Sequence, residues 1–364
     1  MNNNLVILIN SLRGVGGAEG VCITIANGLF EKYRNLTLLT LDLRGAKNIK
    51  KLNPEIKSEI LNKKRALPAF IALLYWFSVH KPERVLVFNY KLAVMLVIIR
   101  FILRMRFRII SRNINILSIK KKEEKSFLHK YIIHSIVSAL YKHVDLVIAQ
   151  SQGMKEDLLT HYGISEKKIN VINNPIQFRI ETFLLNNESL PKNIDNYILC
   201  AGRLEPQKAF NYAVEAFAQV ANDYPGLRLK FFGDGILKTG LKKQAFDLNL
   251  ANRVDFEGYC QDIIPHYVHA RLTVLTSLYE GLPNVLIESI ALGTPVVSFD
   301  CPSGPSEIIQ DGVNGYLARY LDVDHLTECI RLALDRQWDT EAVRASANRF
   351  SSSKIIDEYA RVLS

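Results

Sequence analysis

The sequence predicts an α/β chain of two doubly wound domains, and three observations carry that prediction. Short runs of aliphatic and β-branched residues recur along all 364 residues, separated by longer stretches with helical spacing. The rhythm lapses near residue 180 and then starts again. The halves also differ in charge: residues 1–180 hold 29 Lys and Arg against 12 Asp and Glu, a net of +17. Residues 181–364 hold 17 against 24, a net of −7. Continuous apolar strands alternating with helices imply parallel sheets covered on both faces, with ligands at the carboxyl ends of the strands.

In the first half, Leu5–Ile9, Leu36–Leu41, Arg84–Phe88, Arg108–Ser111 and Leu146–Ala149 read as buried strands. In the second, Tyr197–Ala201, Arg228–Phe232, Arg253–Glu257, Leu272–Leu275 and Pro295–Phe299 do. Between them, Ile176 to Asn196 lacks the rhythm, and Asn186-Asn187-Glu188-Ser189 with Pro191 is linker chemistry. The domains expected are therefore 1–178 and 179–348, with 349–364 a terminal helix packing back toward the first.

Composition narrows the class. A hydrophobic fraction of 48% and a charged fraction of 23% exclude a disordered tail, a fibre and a disulfide scaffold. The longest stretch without Lys, Arg, Asp or Glu is Ala66 to His80, interrupted by Pro68, whereas a spanning helix needs about 20 apolar residues. The first twelve residues carry no basic segment, so Leu5–Ile9 reads as a strand rather than a leader. Five scattered cysteines without a C-x-x-C pair point to reduced thiols and a cytoplasmic setting.

Four segments carry chemistry. The first strand runs into Arg13-Gly14-Val15-Gly16-Gly17-Ala18-Glu19-Gly20, where glycines ahead of a helix let backbone N–H groups approach a phosphate. A Walker loop needs a closing Gly-Lys-Ser/Thr that is absent. A dinucleotide fingerprint needs Gly where Glu19 stands; Asp42, near the distance of a ribose-binding acid, keeps an NAD-type oxidoreductase as an alternative. The second segment, Gly202-Arg203 with Lys208 five residues on, aims two cations at the ends of the strands. A planar fork and a point charge together offset a diphosphate without a metal.

The third is Tyr279-Glu280-Gly281-Leu282-Pro283-Asn284-Val285-Leu286-Ile287-Glu288. Pro283 suits a helix start, so amides near Asn284 and Val285 face a phosphate. Glu288, three and four residues on, shares their face and suits the two hydroxyls of a ribose. Glu280, ahead of the helix, suits sugar hydroxyls. The fourth is a basic amphipathic stretch, with Arg100 and Arg104 one turn apart, followed by Lys120-Lys121-Lys122, Lys125 and Lys130 around Phe127 and Leu128. It suits docking on anionic lipid headgroups. A basic nucleic-acid binder is the other alternative, although no recognised nucleic-acid signature is present. Asp322-Val323-Asp324 looks like a metal-binding pair, but its place before an apolar helix favours a cap.

In combination these residues resemble glycosyltransferase family 4, the retaining transferases of GT-B architecture, in which two Rossmann-like domains face each other across a cleft. The resemblance also takes in Phe232-Gly233-Asp234-Gly235, the E-x7-E pair Glu280/Glu288, Cys301-Pro-Ser-Gly-Pro-Ser-Glu307 and Asp311-Gly-Val-Asn-Gly315. It implies that Arg203 and Lys208 bind the donor diphosphate, Glu288 the ribose and Glu280 the transferred sugar, with Gly16 and Gly17 at the phosphate. Phe256-Glu257-Gly258-Tyr259 matches the segment bordering the base. Many members carry a His after the strand that here reads Ile109-Ile110-Ser111-Arg112-Asn113. None occurs here, and its sugar-holding role stays open between Arg112 and Asn113. The resemblance further implies no metal and no cofactor and a UDP-linked donor, while the basic amphipathic stretch of the first domain points to a lipid-diphosphate-linked acceptor met at the inner membrane face.

Overall fold

The computed structural model describes residues 4–12, 17–43, 48–63, 65–123, 134–187 and 194–364. The chain divides into two compact units, one of Met1–Pro175 with Ser352–Ser364 and one of Ile176–Ser351.

The first unit runs β1 (Leu5–Ser11), α1 (Gly17–Phe30), β2 (Leu36–Asp42), β3 (Lys57–Ile60), α2 (Ala66–His80), β4 (Arg84–Val87) and α3 (Tyr90–Leu103). It continues through β5 (Arg108–Arg112), α4 (Leu117–Glu123), α5 (His134–Tyr141), β6 (Leu146–Ala149), α6 (Gln152–Tyr162) and β7 (Ile169–Val171). Its parallel sheet has the order β3-β2-β1-β4-β5-β6-β7. Central strands are buried throughout because helices cover both faces; Val85, Leu86 and Val87 of β4 are fully buried.

The second unit runs α7 (Phe178–Asn186), β8 (Tyr197–Ala201), α8 (Asn211–Val220), β9 (Arg228–Phe232), α9 (Lys238–Asp247), β10 (Val254–Gly258) and α10 (Ile264–His269). Then come β11 (Leu272–Leu275), α11 (Asn284–Ala291), β12 (Val296–Phe299), β13 (Gly315–Ala318), α12 (Val323–Asp335) and α13 (Thr340–Ser346). Its sheet, also parallel, has the order β10-β9-β8-β11-β12-β13. One apolar cluster built on α8, α9 and α12 and another built on α10, α11 and α13 cover its faces.

The last helix, α14 (Ser352–Leu363), belongs to the first unit and packs on α1. Gly28 of α1 has no room for a side chain against Ile356, whose methyl would lie 1.8 Å from an added Cβ. Lys32 and Asp357 pair at 2.6 Å across the same contact.

Two readings of the sequence need correction. The stretch taken as linker contains α7, an amphipathic helix whose Ile180 is fully buried and whose Phe183 and Leu184 pack against the core. Asn186-Asn187 marks its end. Arg100 is also not a lipid-facing cation. Its guanidinium binds Asp145 at 2.6 Å and the carbonyls of His143 and Phe107 at 2.6 and 3.0 Å, clamping α3 to the strands beside it. Lys125, Phe127, Leu128 and Lys130 lie outside the described residues, as do the side chains of Lys120 and Lys122.

Candidate functional site

The strand order of the second unit reverses where β8 lies against β11, and such a reversal leaves a crevice at the carboxyl ends of the strands. The predicted residues of that unit gather on the loops leaving β8, β10 and β11.

Glycines shape the first of these loops. Gly202, after β8, and Gly233, after β9, both have φ +150°, a conformation other residues rarely adopt. A Cβ on Gly233 would sit 1.8 Å from the Gly202 carbonyl oxygen. The Gly202 N–H donates to the Phe232 carbonyl and the Leu204 N–H to the Asp234 carbonyl, each at 3.0 Å. Between these anchors stands Arg203, exposed, its guanidinium with no hydrogen bond or ion pair among the described residues. Pro206–Lys208 then forms a single 3-10 turn, and Ala209 in the left-handed region brings the chain round. The Lys208 stem folds over Gly202, where an added Cβ would lie 3.2 Å from its Cε.

Lys208 Nζ meets Glu280 Oε1 at 2.5 Å, with both side chains largely buried. The Ser277 hydroxyl donates to the same oxygen at 2.6 Å. The β8 and β11 loops are stitched together beneath this pair. The Gln207 side-chain amide donates to the Tyr279 carbonyl at 3.0 Å, the Leu278 N–H to the Gln207 carbonyl at 2.8 Å, and the Thr276 hydroxyl to the Lys208 carbonyl at 3.0 Å. A carboxylate has about four acceptor sites, and Glu280 Oε2 makes no hydrogen bond among the described residues. One oxygen is thus fixed and the other is available to donors. Lys208 similarly has two further N–H bonds to give. Burial, with the nearby Glu280 charge, pushes the Cys301 thiol far up, so this cysteine stays neutral in the wall of the site.

Pro283 caps α11, and Asn284 and Val285 form its first turn, both half-buried. One turn on, Glu288 is buried; the Gln177 amide donates to its Oε1 at 2.5 Å. The neighbouring Tyr267 phenol is pushed well up by burial, and the Glu288 charge adds to the effect. Burial also pushes the Tyr259 phenol up, and the charge of nearby Arg179 offsets part of the rise at both phenols; the buried Arg179 Nε has no hydrogen-bond partner among the described residues. Tyr259, just past β10, is 42% exposed. A buried acid, a phenol and a cation therefore share one wall.

Sequence reasoning missed Ser277, Gln177, Tyr267 and Arg179. Ser277 lies three residues before Glu280, a local signal that was available. The other three reach the wall through the fold alone, with Gln177 111 positions from Glu288.

In the first unit, Gly16 lies outside the described residues and Gly17 opens α1, exposed. Arg112 and Asn113 are each 1% exposed. Arg112 donates from Nε to the Tyr359 hydroxyl at 2.8 Å and from Nη2 to Asn174, and its guanidinium lies over the Phe88 ring. Asn113 accepts from Tyr141 at 2.8 Å. Both side chains are buried and held by these bonds, and Arg112 Nη1 and Asn113 Nδ2 are buried with no hydrogen-bond partner among the described residues.

Asp322 caps α12, its side chain accepting from the His325 N–H at 2.9 Å. Among the described residues no group of three or more His, Cys, Asp or Glu is placed to hold a metal ion.

Residues 15–178 match the family described as Glycosyltransferase Family 4, and residues 184–351 match Glycosyl transferases group 1. An uncharacterized glycosyltransferase of Haemophilus influenzae is 28% identical over 98% of both chains. The N-acetylgalactosamine-N,N'-diacetylbacillosaminyl-diphospho-undecaprenol 4-alpha-N-acetylgalactosaminyltransferase of Campylobacter jejuni is 30% identical over 59% of this chain and 56% of its own length. The chain spans about half or less of the length of the curated relatives it matches at 30% identity or more. Among solved structures, Anabaena HepE in complex with UDP-glucose superposes with a TM-score of 0.79 at 22% identity, covering 99% of both chains.

Proposed function

The chain belongs to glycosyltransferase family 4 and has the GT-B fold, and from that premise we propose that it is a retaining transferase of cell-surface polysaccharide or lipopolysaccharide synthesis. It moves a hexose or N-acetylhexosamine from a nucleotide diphosphate sugar, UDP-linked, to a lipid-linked or glycan acceptor. The observation that carries the reading is the Lys208–Glu280–Ser277 cluster at the β8/β11 reversal, with Arg203 on the same β8 loop and without a hydrogen bond or ion pair among the described residues.

In this reading Arg203 and Lys208 take the donor diphosphate, Arg203 as a fork and Lys208 with the bonds Glu280 leaves it. Glu280 Oε2 accepts from hydroxyls of the transferred sugar, while Lys208 and Ser277 hold the carboxylate still. Glu288 accepts from the ribose hydroxyls, with Gln177 and Tyr267 setting its orientation. The first turn of α11, at Asn284 and Val285, adds phosphate contacts, Gly16 and Gly17 take the phosphate role that the family resemblance implies, and Tyr259 borders the base. Arg112 Nη1 and Asn113 Nδ2 stand for the sugar-side donors.

Such a site needs no protein nucleophile. The acceptor hydroxyl attacks the anomeric carbon from the face the diphosphate leaves, and a donor phosphate oxygen takes its proton. The protein contributes positioning and stabilises charge developing on the diphosphate. A lipid-diphosphate acceptor is supported by the name of the Campylobacter relative. UDP is supported by the ligand of the HepE structure. An acceptor embedded in lipid would place the enzyme on the inner membrane face, bound peripherally, since no described helix is long and apolar enough to cross.

The test is transfer of labelled sugar from a panel of UDP- and GDP-sugars to undecaprenyl-diphosphate saccharides, with anomeric NMR of the product. Retention of the donor's anomeric configuration is expected. Inversion, or hydride transfer to a nicotinamide dinucleotide instead, would overturn the reading.

A further inference from the structure

The first unit carries an apolar face that its own fold leaves uncovered. α2 contains no Lys, Arg, Asp or Glu. One side of it is core: Ala69, Leu73, Trp76 and Phe77 are buried. The other side bears Leu67, Ile71, Tyr75 and Val79, which are 69%, 58%, 73% and 56% exposed. Spacing of four residues keeps successive members on neighbouring positions of one face. The result is a continuous apolar stripe rather than scattered surface leucines. At 15 residues the helix is about 22 Å long, short of the roughly 30 Å a bilayer core requires. It can lie along a membrane but not across it.

Charge around the stripe identifies what covers it. Lys63 and Arg65 precede the helix and Lys81 follows it, all exposed and none with an acidic partner among the described residues. Of the acids near the helix, Glu59 is already bound by Lys57 at 2.6 Å and by the Trp76 indole at 2.5 Å, and Glu83, past its end, is a single exposed carboxylate beside Arg104, Arg106 and Arg108. α3 packs against α2, and the Phe77 and Phe107 rings meet at 5.1 Å. Beyond α3, Arg104, Arg106 and Arg108 are exposed, next to the exposed Phe101 and Ile102. An apolar face bordered at both ends by unpaired cations is complementary to an anionic lipid surface: side chains enter the acyl boundary while cations meet headgroups.

We propose that α2 is a membrane-docking helix, its Leu67–Ile71–Tyr75–Val79 stripe seated in the headgroup–acyl boundary of an anionic bilayer. This rests on the membrane-side acceptor of the proposed function and locates the contact on a helix distinct from the basic run after residue 117.

Flotation with vesicles of phosphatidylglycerol and phosphatidylethanolamine at low salt tests it. The wild-type chain should float, and a variant with Leu67→Ser, Ile71→Ser, Tyr75→Ser and Val79→Ser should partition about tenfold less, or weaker still. Because those side chains are exposed, the variant should keep its thermal stabilisation by UDP. A Tyr75→Trp chain should show blue-shifted emission on addition of vesicles. Equal flotation of the serine variant, or unshifted Tyr75→Trp emission, overturns the assignment to α2 while leaving membrane attachment standing. No flotation of the wild-type chain removes both. A wild-type dimer that the serine substitutions convert to monomer, without vesicle binding, would make the occupant a second copy and refute the proposal. UDP binding and sugar transfer are measured separately, so none of these outcomes touches the catalytic reading.

Discussion

Both sheets reverse their strand order at a central pair, β1 against β4 in one unit and β8 against β11 in the other, yet they place charge differently. In the second unit Lys208 and Glu280 meet where the strands end, and among the described residues Arg203 on the same loop has no partner and one Glu280 oxygen no hydrogen bond. In the first unit Arg112 stands at the end of β5, where its Nε and Nη2 are bound by Tyr359 and Asn174. The same topology thus presents charge in one unit and, in the other, buries it and holds it by two of its three nitrogens. A doubly wound sheet supplies a crevice; the side chains at its rim decide whether the crevice can act.

The sharpest way to break this contrast is at Lys208. Lys208→Ala should lower transfer by about 10³-fold if, as proposed, it removes a preorganised donor to the leaving diphosphate. It should also cost about 3 kcal/mol of stability by leaving Glu280 buried and uncompensated. Combining Lys208→Met with Glu280→Gln should recover much of the stability and none of the transfer. If initial rates return along with the urea midpoint, the pair serves only the fold.

Gly233→Ala comes next. The added methyl meets the Gly202 carbonyl and the φ is unfavourable, so a loss of about 3 kcal/mol in urea melts is expected, with weaker UDP stabilisation of what remains folded. Unchanged UDP stabilisation would mean that the loops after β8 and β9 do not shape the donor site.

For the locked cation of the first unit, Tyr359→Phe removes one hydrogen bond and should cost about 1–2 kcal/mol, leaving kcat within a factor of about two. A large fall in kcat with unchanged stability would mean that the Tyr359 hydroxyl sets how Arg112 meets the sugar.

The smallest effect concerns acid stability. The Arg228 guanidinium, bonded to Asp255 at 2.5 and 2.7 Å, holds that carboxyl below the usual range. Its contribution is present above the unfolded carboxylate pKa of about 4 and is lost as pH falls through the lower folded value. Asp255→Asn should therefore lower the urea midpoint at pH 7 by the equivalent of about 0.5 kcal/mol and flatten its fall toward pH 3. An unaltered pH slope would deny the ion pair that role.

Much of this architecture was legible in the residues because buried parallel strands are unbroken apolar runs. The ten strands read from the sequence all exist, several with unchanged bounds, as at Tyr197–Ala201 and Leu272–Leu275. The strands that escaped, Lys57–Ile60, Ile169–Val171 and Gly315–Ala318, are all at sheet edges, where one side needs no partner and short or polar segments suffice. At the site, Arg203, Lys208, Glu280 and Glu288 were legible as charged residues where strands end or helices begin. Gln177 and Tyr267 were not, because only the folded chain brings them to Glu288. The basic stretch shows a related limit. Arg100 read as amphipathic surface until Asp145 was found beside it, and Ala66–His80 read as merely uncharged until half of it proved exposed.

The central claim is that cations leaving β8 grip a nucleotide's diphosphate, and calorimetric titration of a UDP-sugar into wild-type and Arg203→Ala chains tests it most directly. The account predicts saturable one-to-one binding, weakened about 30-fold by the substitution, the worth of roughly 2 kcal/mol of charge-assisted hydrogen bonding. Equal affinity in the two chains, or no binding to either, would contradict it.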